Sequence, residues 1–303
     1  MENKKVSVII PTYKRPETLA RAVNSALSQT YSNVEVIVVD DNNPDSEYRI
    51  STEQIMLQYS NNERVKYIKH EKNKNGSAAR NTGFRASSGD YLTFLDDDDE
   101  YLPEKIEAQV AKLESLDLTW GCCYCNYVVK KHGKVKFRSI EKKEGDIYFD
   151  ELCRNFFHGG GTGPMVRRSV YEAVGGFDES FKRNQDIEFM LKISKRYKVA
   201  HVNIIGYVGF EDVYKESVVT YEQVLSHYID TFKDDINALT PEQKTKFHKV
   251  IALQTFKNYL SQRNLTLAFK ALSDGHVGMI LMIRYLIHLL YRCVFRVGCS
   301  FNA

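Results

Sequence analysis

No glycine separates the first apolar run from the helical pattern after it. Val6-Ser7-Val8-Ile9-Ile10 leads directly into Pro11-Thr12-Tyr13-Lys14-Arg15-Pro16. Dinucleotide-binding sheets need glycines at that turn so that a pyrophosphate can approach the backbone, so a nicotinamide site of that kind is excluded. A phosphate-cradling loop ending in Gly-Lys-Ser or Gly-Lys-Thr is also missing. His158-Gly159-Gly160-Gly161 has no Gly-X-Ser-X-Gly elbow to accompany it, which sets aside a serine hydrolase. The six cysteines show no pairing framework; Cys122, Cys123 and Cys125 sit in one apolar, aromatic run without zinc spacing. Reduced thiols in a cytosolic protein are the expectation. A net charge of +3 gives no argument for a nucleic-acid partner. No uninterrupted apolar run reaches the roughly 20 residues of a spanning helix. Residues 1–5 enter the first strand without a secretory apolar region.

What is present is a regular alternation. At 303 residues the chain can bury a large core, with one domain and an appendage as the natural division. Strand patterns at 6–10, 35–39, 65–68 and 91–95 alternate with helical patterns at 16–29, 47–59 and 77–87. That order predicts an α/β fold, a largely parallel sheet flanked by helices. Ligands of such sheets sit beyond the carboxyl ends of the strands. Pro11-Thr12-Tyr13, Asp40-Asp41 and Asp96-Asp97-Asp98-Asp99 all fall there.

The four aspartates come directly after the apolar run Tyr91–Leu95. If the chain stays extended, Asp96 and Asp98 face one way and Asp97 and Asp99 the other, so that one pair can share a hard divalent cation. A solvated acidic turn capping the helix near Pro103 is the plainer alternative. Further on, residues 120–137 read as a hairpin turning at 130–134. The glycine-dense stretch His158 to Pro164 reads as a loop bordering a pocket. Asn184-Gln185-Asp186-Ile187-Glu188 opens another helix, where a carboxylate form is favoured, although Asp186 could serve only as an N-cap.

Taken together and in order, Ser7–Tyr13, Ser28-Gln29-Thr30-Tyr31, Val36–Asp41, Ala79-Arg80-Asn81-Thr82-Gly83, Gly89–Leu92, Phe94–Asp99, Gly175-Gly176-Phe177-Asp178-Glu179 and Gln185-Asp186 resemble the inverting glycosyltransferases of family 2, of the bacterial surface-polysaccharide type, with the GT-A fold. The resemblance covers residues 5 to about 195. It implies a Rossmann-like mixed sheet over 1–220, with a nucleotide-binding half (1–100) and an acceptor-binding half (101–220). Residues 221–303 would form a helical C-terminal region. It also implies roles. Pro11, Thr12, Tyr13, Arg15, Asp41, Arg80, Asp96 and Asp97 would bind the nucleotide-sugar donor, expected to be a UDP-sugar, with Asp41 accepting the uracil imide N–H. Asp98 and Asp96 would hold Mn2+ or Mg2+ against the departing diphosphate. His158, Gly160, Gly161, Gly176 and Gln185 would border the acceptor or sugar. Asp186 would be the catalytic base, with Asp178 and Glu188 as substitutes. Where the family usually has Glu-Asp, this chain has Gln185-Asp186.

Beyond residue 208 the resemblance fades. Thr240-Pro241-Glu242 predicts a helix start. Residues 277–297 are apolar almost throughout, but Arg284, His288, Arg292 and Arg296 recur every fourth residue, one drifting stripe on a helix. A helix lying in a membrane interface, arginines toward lipid phosphates, fits this pattern; so does a helix packed on the rest of the chain or on a partner. The expectation is a hexosyltransferase-type enzyme on the cytoplasmic face of a membrane, acting on a glycan or polyprenyl-linked acceptor, with a homo-oligomer left open. A sugar-phosphate nucleotidyltransferase and a non-catalytic scaffold of the same fold are the alternatives.

Overall fold

The computed structural model describes residues 4–211 and 220–302. The chain divides into two compact units, one of Met1–Ile147 and His158–Tyr214, the other of Tyr148–Phe157 and Lys215–Ala303.

The first unit begins β1 (Val6–Thr12), α1 (Pro16–Leu27), β2 (Val34–Asp40), α2 (Glu47–Met56), β3 (Val65–Lys69), α3 (Gly76–Ala86), β4 (Tyr91–Phe94), β5 (Glu100–Tyr101) and α4 (Lys105–Glu114). It continues with the hairpin β6 (Trp120–Lys131) and β7 (Lys134–Ser139). After α5 (Tyr148–Leu152), which belongs to the second unit, come β8 (Met165–Arg167), α6 (Arg168–Val174), α7 (Gln185–Ser194) and β9 (Lys198–Phe210). The strands run β7-β6-β8-β4-β1-β2-β3, with β9 pairing β5 and β6. β4, β1, β2 and β3 are mutually parallel and β8 is antiparallel to both its neighbours, so the sheet is mixed. Helices cover both faces, which is why the middles of β1 and β2, residues 8–11 and 36–39, are apolar throughout: Val8, Ile10, Val36 and Val38 pack with Leu19 and Val23 of α1.

Pro11 lies inside β1 rather than ending it. The Ile9 carbonyl accepts from Leu95 N–H and the Thr12 carbonyl from Asp41 N–H, so odd residues of β1 face β4 and even ones β2. Pro11 therefore faces the side where β4 has already stopped, and its missing N–H costs no ladder bond. The β6–β7 hairpin turns on His132 and Gly133, both left-handed (φ 49° and 72°), as a two-residue turn requires.

The second unit also contains α8 (Tyr221–Thr231), α9 (Lys233–Asn237), α10 (Pro241–Ser261), α11 (Leu265–Asp274) and α12 (Met279–Phe295). Thr240 and Gln243 close a capping box at the start of α10. Leu253 and Phe256 of α10 pack with Ala268, Leu272, Tyr285 and Phe301. The four-residue stripe of α12 does not face outward as one unit. Tyr285, His288 and Arg292 share a helix face that turns inward, whereas Arg284 is exposed. Apolar residues are left in solvent as well, among them Ile280, Ile287, Leu290, Val294 and Phe295. The stripe is thus divided, Arg284 and Arg296 exposed and His288 and Arg292 half-buried, because Tyr285 supplies the buried contact and carries its i+3 and i+7 neighbours in with it. Among the described residues no helix is long and apolar enough to cross a membrane.

Candidate active site

The carboxyl end of β4 opens the site. The chain leaves the strand at Phe94, and Asp99 N–H donates to the Asp96 carbonyl (3.0 Å), closing a turn over the four aspartates. The alternation of an extended strand therefore does not apply. Adjacent Asp97 and Asp98 meet the same guanidinium instead, each 2.7 Å from Arg15 Nη1. Arg21 donates to the Asp98 carbonyl (2.6 Å) and lies over the Phe210 ring. Burial and the neighbouring Asp98 push the Asp97 carboxyl up to about 7, although Arg15 pulls it down. Asp96, more open, takes a 2.6 Å ion pair from Arg80. Thr162 donates to Asp99 (2.6 Å), tying the turn to the glycine loop.

Arg80 is placed by α3, whose N-cap Asn75 accepts from the N–H groups of Ser77 and Ala78. Asp41 sets the approach to that cap. One of its oxygens meets His70 Nδ1 (2.7 Å) and Lys74 N–H (2.8 Å); the other meets Asn73 Nδ2 (2.8 Å) and Asn75 N–H (2.9 Å). A carboxylate has about four lone-pair positions, so a uracil imide reaching Asp41 must share or displace one of these donors. Its neighbour Asp40 is equally occupied, by Asn42, Arg49 and Tyr67. Tyr13, by contrast, is exposed, and its N–H points to Asp97 (3.3 Å). Thr12 is buried below it.

The glycine loop joins the two sides of the site. A Cβ on Gly161 would lie 3.1 Å from Arg80 Nη2 and 3.4 Å from Asp96 Oδ1. One on Gly160, whose φ is +58°, would lie 3.5 Å from Asp186 Oδ2. Consecutive glycines thus border Asp96 with Arg80 on one side and Asp186 on the other. Asp186 is the second residue of α7, and the N-cap is Asn184, so a capping role is excluded. Among the described residues its side chain accepts no hydrogen bond. The substitutes are engaged: Glu188 holds Lys192 (2.7 Å) and Asp178 N–H (3.2 Å), and Asp178 accepts from Ser180 N–H (2.8 Å). His158 is buried, its basicity lowered by burial while Asp186 pulls the other way, so it is a neighbour of that carboxylate and not an exposed contact for an acceptor. Gln185 stands half-buried beside Asp186.

Gly176 closes the far wall. With φ +70° and a virtual Cβ 2.8 Å from Asn81 Oδ1, only glycine fits. Asn81 fastens this turn by accepting from Phe177 N–H (3.0 Å) and donating to the Phe177 carbonyl and to Glu179 (both 2.9 Å). Phe177 stacks on Phe189 and meets Phe94 edge-on. Nothing in the sequence assigns a role to Arg21, Asn81 or Thr162. Asn81 sits in a recognisable motif, but a lone amide in a small-residue helix does not reveal what it holds.

Among the described residues no three His, Cys, Asp or Glu side chains converge to hold a metal ion. A cation that arrives with its substrate needs no such cluster. Mg2+ takes one or two carboxylates, substrate phosphates and water, and Asp96 to Asp98 offer such a donor set.

Comparison with known proteins decides the class. The glycosyl transferase family 2 model matches residues 7–175, more than half of the chain. The chain belongs to this family. The matched stretch stops short of Gln185-Asp186. An uncharacterized glycosyltransferase of Rickettsia typhi is 34% identical over 193 residues, covering 62% of this chain and 58% of that protein. WfgD of Escherichia coli, a UDP-Glc:alpha-D-GlcNAc-diphosphoundecaprenol beta-1,3-glucosyltransferase, is 27% identical over 203 residues, covering 67% of this chain and 75% of that protein. In structure the chain resembles residues 1–349 of Staphylococcus aureus TarS in complex with UDP-GlcNAc (TM-score 0.66, 20% identity, 96% of this chain and 87% of that one). It also resembles the mannosyltransferase PcManGT of Pyrobaculum calidifontis in complex with GDP-Man and Mn2+ (TM-score 0.58, 18% identity, 97% and 81%). These likenesses show the fold, GT-A. The chain spans less than two thirds of the length of the first curated relatives that it matches.

Proposed function

We propose that this family 2 enzyme transfers a sugar from a UDP-sugar to a hydroxyl of a polyprenyl-linked glycan, with inversion, in surface-polysaccharide assembly. The observation that carries the reading is Asp186. Around it the carboxylates of Asp96, Asp97, Asp98, Glu188 and Asp178 all have partners, whereas this one is kept clear beside Gly160. A carboxylate without competing donors can accept the acceptor hydroxyl's proton as that oxygen attacks the anomeric carbon. Arg80 and Asp96 lie across the glycine loop, on the side where the diphosphate would leave. Asp98 and Asp96 would hold Mn2+ or Mg2+, which supplies Lewis-acid stabilisation of charge on that leaving group. Tyr13 stacks on the base, flanked by Pro11. One base opposite one leaving group gives a single displacement, hence inversion. The diphosphoundecaprenol in the name of WfgD supports a lipid-linked acceptor.

Asp186→Asn should abolish transfer, lowering kcat by on the order of 10²- to 10⁴-fold while UDP binding stays within a few-fold of wild type. Transfer assays over a panel of UDP-sugars and acceptors, with and without EDTA, measure this, and NMR of the product reports the anomeric configuration. Full activity in Asp186→Asn would remove the assigned base, and a retained anomer would remove the single displacement.

For location, we propose that α12 rests on the cytoplasmic face of the membrane through Ile280, Ile283, Ile287, Leu290 and Val294, which are exposed. Ile287→Glu with Leu290→Glu should halve or more the fraction that floats with anionic liposomes, and unchanged flotation would reject that placement.

A further inference from the structure

The helical unit forms an open pocket of about 390 Å³ whose lining includes half-buried Arg154, His288 and Arg292 and the exposed Lys257 and contains no aspartate or glutamate. Arg154 enters from the segment before residue 158, Lys257 from α10, and His288 and Arg292 from α12, so the convergence depends on three separate pieces of chain. Arg154 and Lys257 take part in no ion pair among the described residues. The cations meet aromatic faces instead, Arg154 over Tyr228 at 5.4 Å and Arg292 over Phe157 at 4.6 Å. A ring face attracts a cation without neutralising it. Two further observations bear on how poorly this charge is compensated. Arg154 Nε and Nη1 and Asn258 Nδ2 are shut off from solvent with no hydrogen-bond partner among the described residues. Such donors usually find an acceptor, and leaving them without one is costly. The cations also act on each other: burial lowers the basicity of Lys257, and Arg292 lowers it further.

Two guanidiniums, an ammonium and an imidazole line one pocket with no acid among them, a set that matches the oxygens of an anion of high charge density. We propose that this cavity binds a phosphate or diphosphate group, either free or carried on a lipid. A monocarboxylate would leave most of the positive charge uncompensated; a phosphate dianion or a diphosphate would not. The inference does not require the transfer reaction, and Asp186→Asn should leave it untouched.

The test uses the full chain and inorganic pyrophosphate, monitored by thermal shift and isothermal titration. Pyrophosphate can also meet the nucleotide site, so the deciding quantity is the difference between proteins. Lys257→Met and Arg292→Gln should each weaken one class of pyrophosphate binding by at least about tenfold, the loss of a charge-assisted hydrogen bond. Lys257→Arg should retain it, which separates lost charge from lost folding. Flotation with phosphatidate liposomes, against phosphatidylcholine liposomes, identifies the source. A phosphatidate preference that Lys257→Met removes assigns a lipid headgroup, and pyrophosphate binding without that preference assigns a free ligand. Pyrophosphate and phosphatidate binding that is the same in wild type and Lys257→Met, or absent from wild type, overturns the proposal.

Discussion

Lys105 in the sheet unit and Arg154 in the helical unit are both cations withdrawn from water with no carboxylate against them, and the chain treats them differently. Lys105 is fully buried, donates to Thr93 Oγ1 (3.1 Å) and Gln109 Oε1 (2.8 Å), and lies 4.0 Å from the centre of the Tyr101 ring. Burial brings its basicity down to about 8. A lysine can shed its proton and remain as a neutral donor and acceptor. A guanidinium cannot, so the arginine of the cavity keeps its charge whatever surrounds it. Elsewhere in the sheet unit the same problem is solved by pairing, as with Arg15 against Asp97 and Asp98. Deprotonation and pairing are both available in the sheet unit; Arg154 has neither, with no carboxylate paired to it among the described residues.

Breaking the paired region should give the largest effect. Arg15→Ala leaves Asp97 and Asp98 together in a buried turn without their common cation. Removing one partner of a buried pair costs about 3 kcal/mol, less here because part of Arg15 is exposed. Urea unfolding should show that loss, and Mn2+ should stabilise the variant more than wild type, since the cation replaces a charge the arginine no longer supplies. Equal stability of the two proteins without metal would mean that the acidic turn is not held by pairing at all.

The second effect concerns Lys105, and linkage sets its sign. Below pH 8 the lysine is protonated both folded and unfolded, and the folded state carries the full cost of burying it. Between 8 and the unfolded value of about 10.4 the folded protein releases the proton and the unfolded chain keeps it, so stability from this group rises with pH. Buried Cys123, whose thiol is pushed far up by burial, contributes in the opposite direction as the unfolded thiol ionises. The measurement is therefore the difference between wild type and Lys105→Met, which should narrow steadily from pH 8 to 10. A difference independent of pH would show that Lys105 is not a depressed base.

How much of this is legible in the sequence depends on whether a signal is local. Strand and helix alternation, the proline-led starts of α1 and α10 and the 132–133 turn depend on residues a few positions apart, and these can be read directly. An extended chain would pair Asp96 with Asp98 on one face, but one hydrogen bond from Asp99 to Asp96 turns it and puts Asp97 and Asp98 on one arginine instead. Asp41 looks like an open acceptor in sequence because its partners, residues 70–75, come from a different strand end. The α12 stripe is visible as a pattern, but which side of it faces the interior depends on Tyr285 and on a C-terminal segment that returns to pack Phe301 against it. Motif order singles out Asp186; that it accepts no hydrogen bond among the described residues is a statement about its neighbours' partners, and no spacing encodes that.

The smallest effect is the sharpest test of the contrast, because its sign is opposite to that of Arg15→Ala. In phosphate-free buffer, Arg154→Met removes a charge that no ion pair among the described residues compensates, together with two donors that have no acceptor among them. The methionine keeps much of the side chain's length against Tyr228. Replacing an uncompensated buried cation by an apolar side chain should raise stability by on the order of 1 kcal/mol. Adding pyrophosphate should then reverse the ranking, since wild type gains a ligand that the variant has lost, and the two melting curves should cross as the concentration rises. If Arg154→Met is destabilising in the absence of any phosphate, the guanidinium is already satisfied by the fold, and the two regions handle buried charge in the same way.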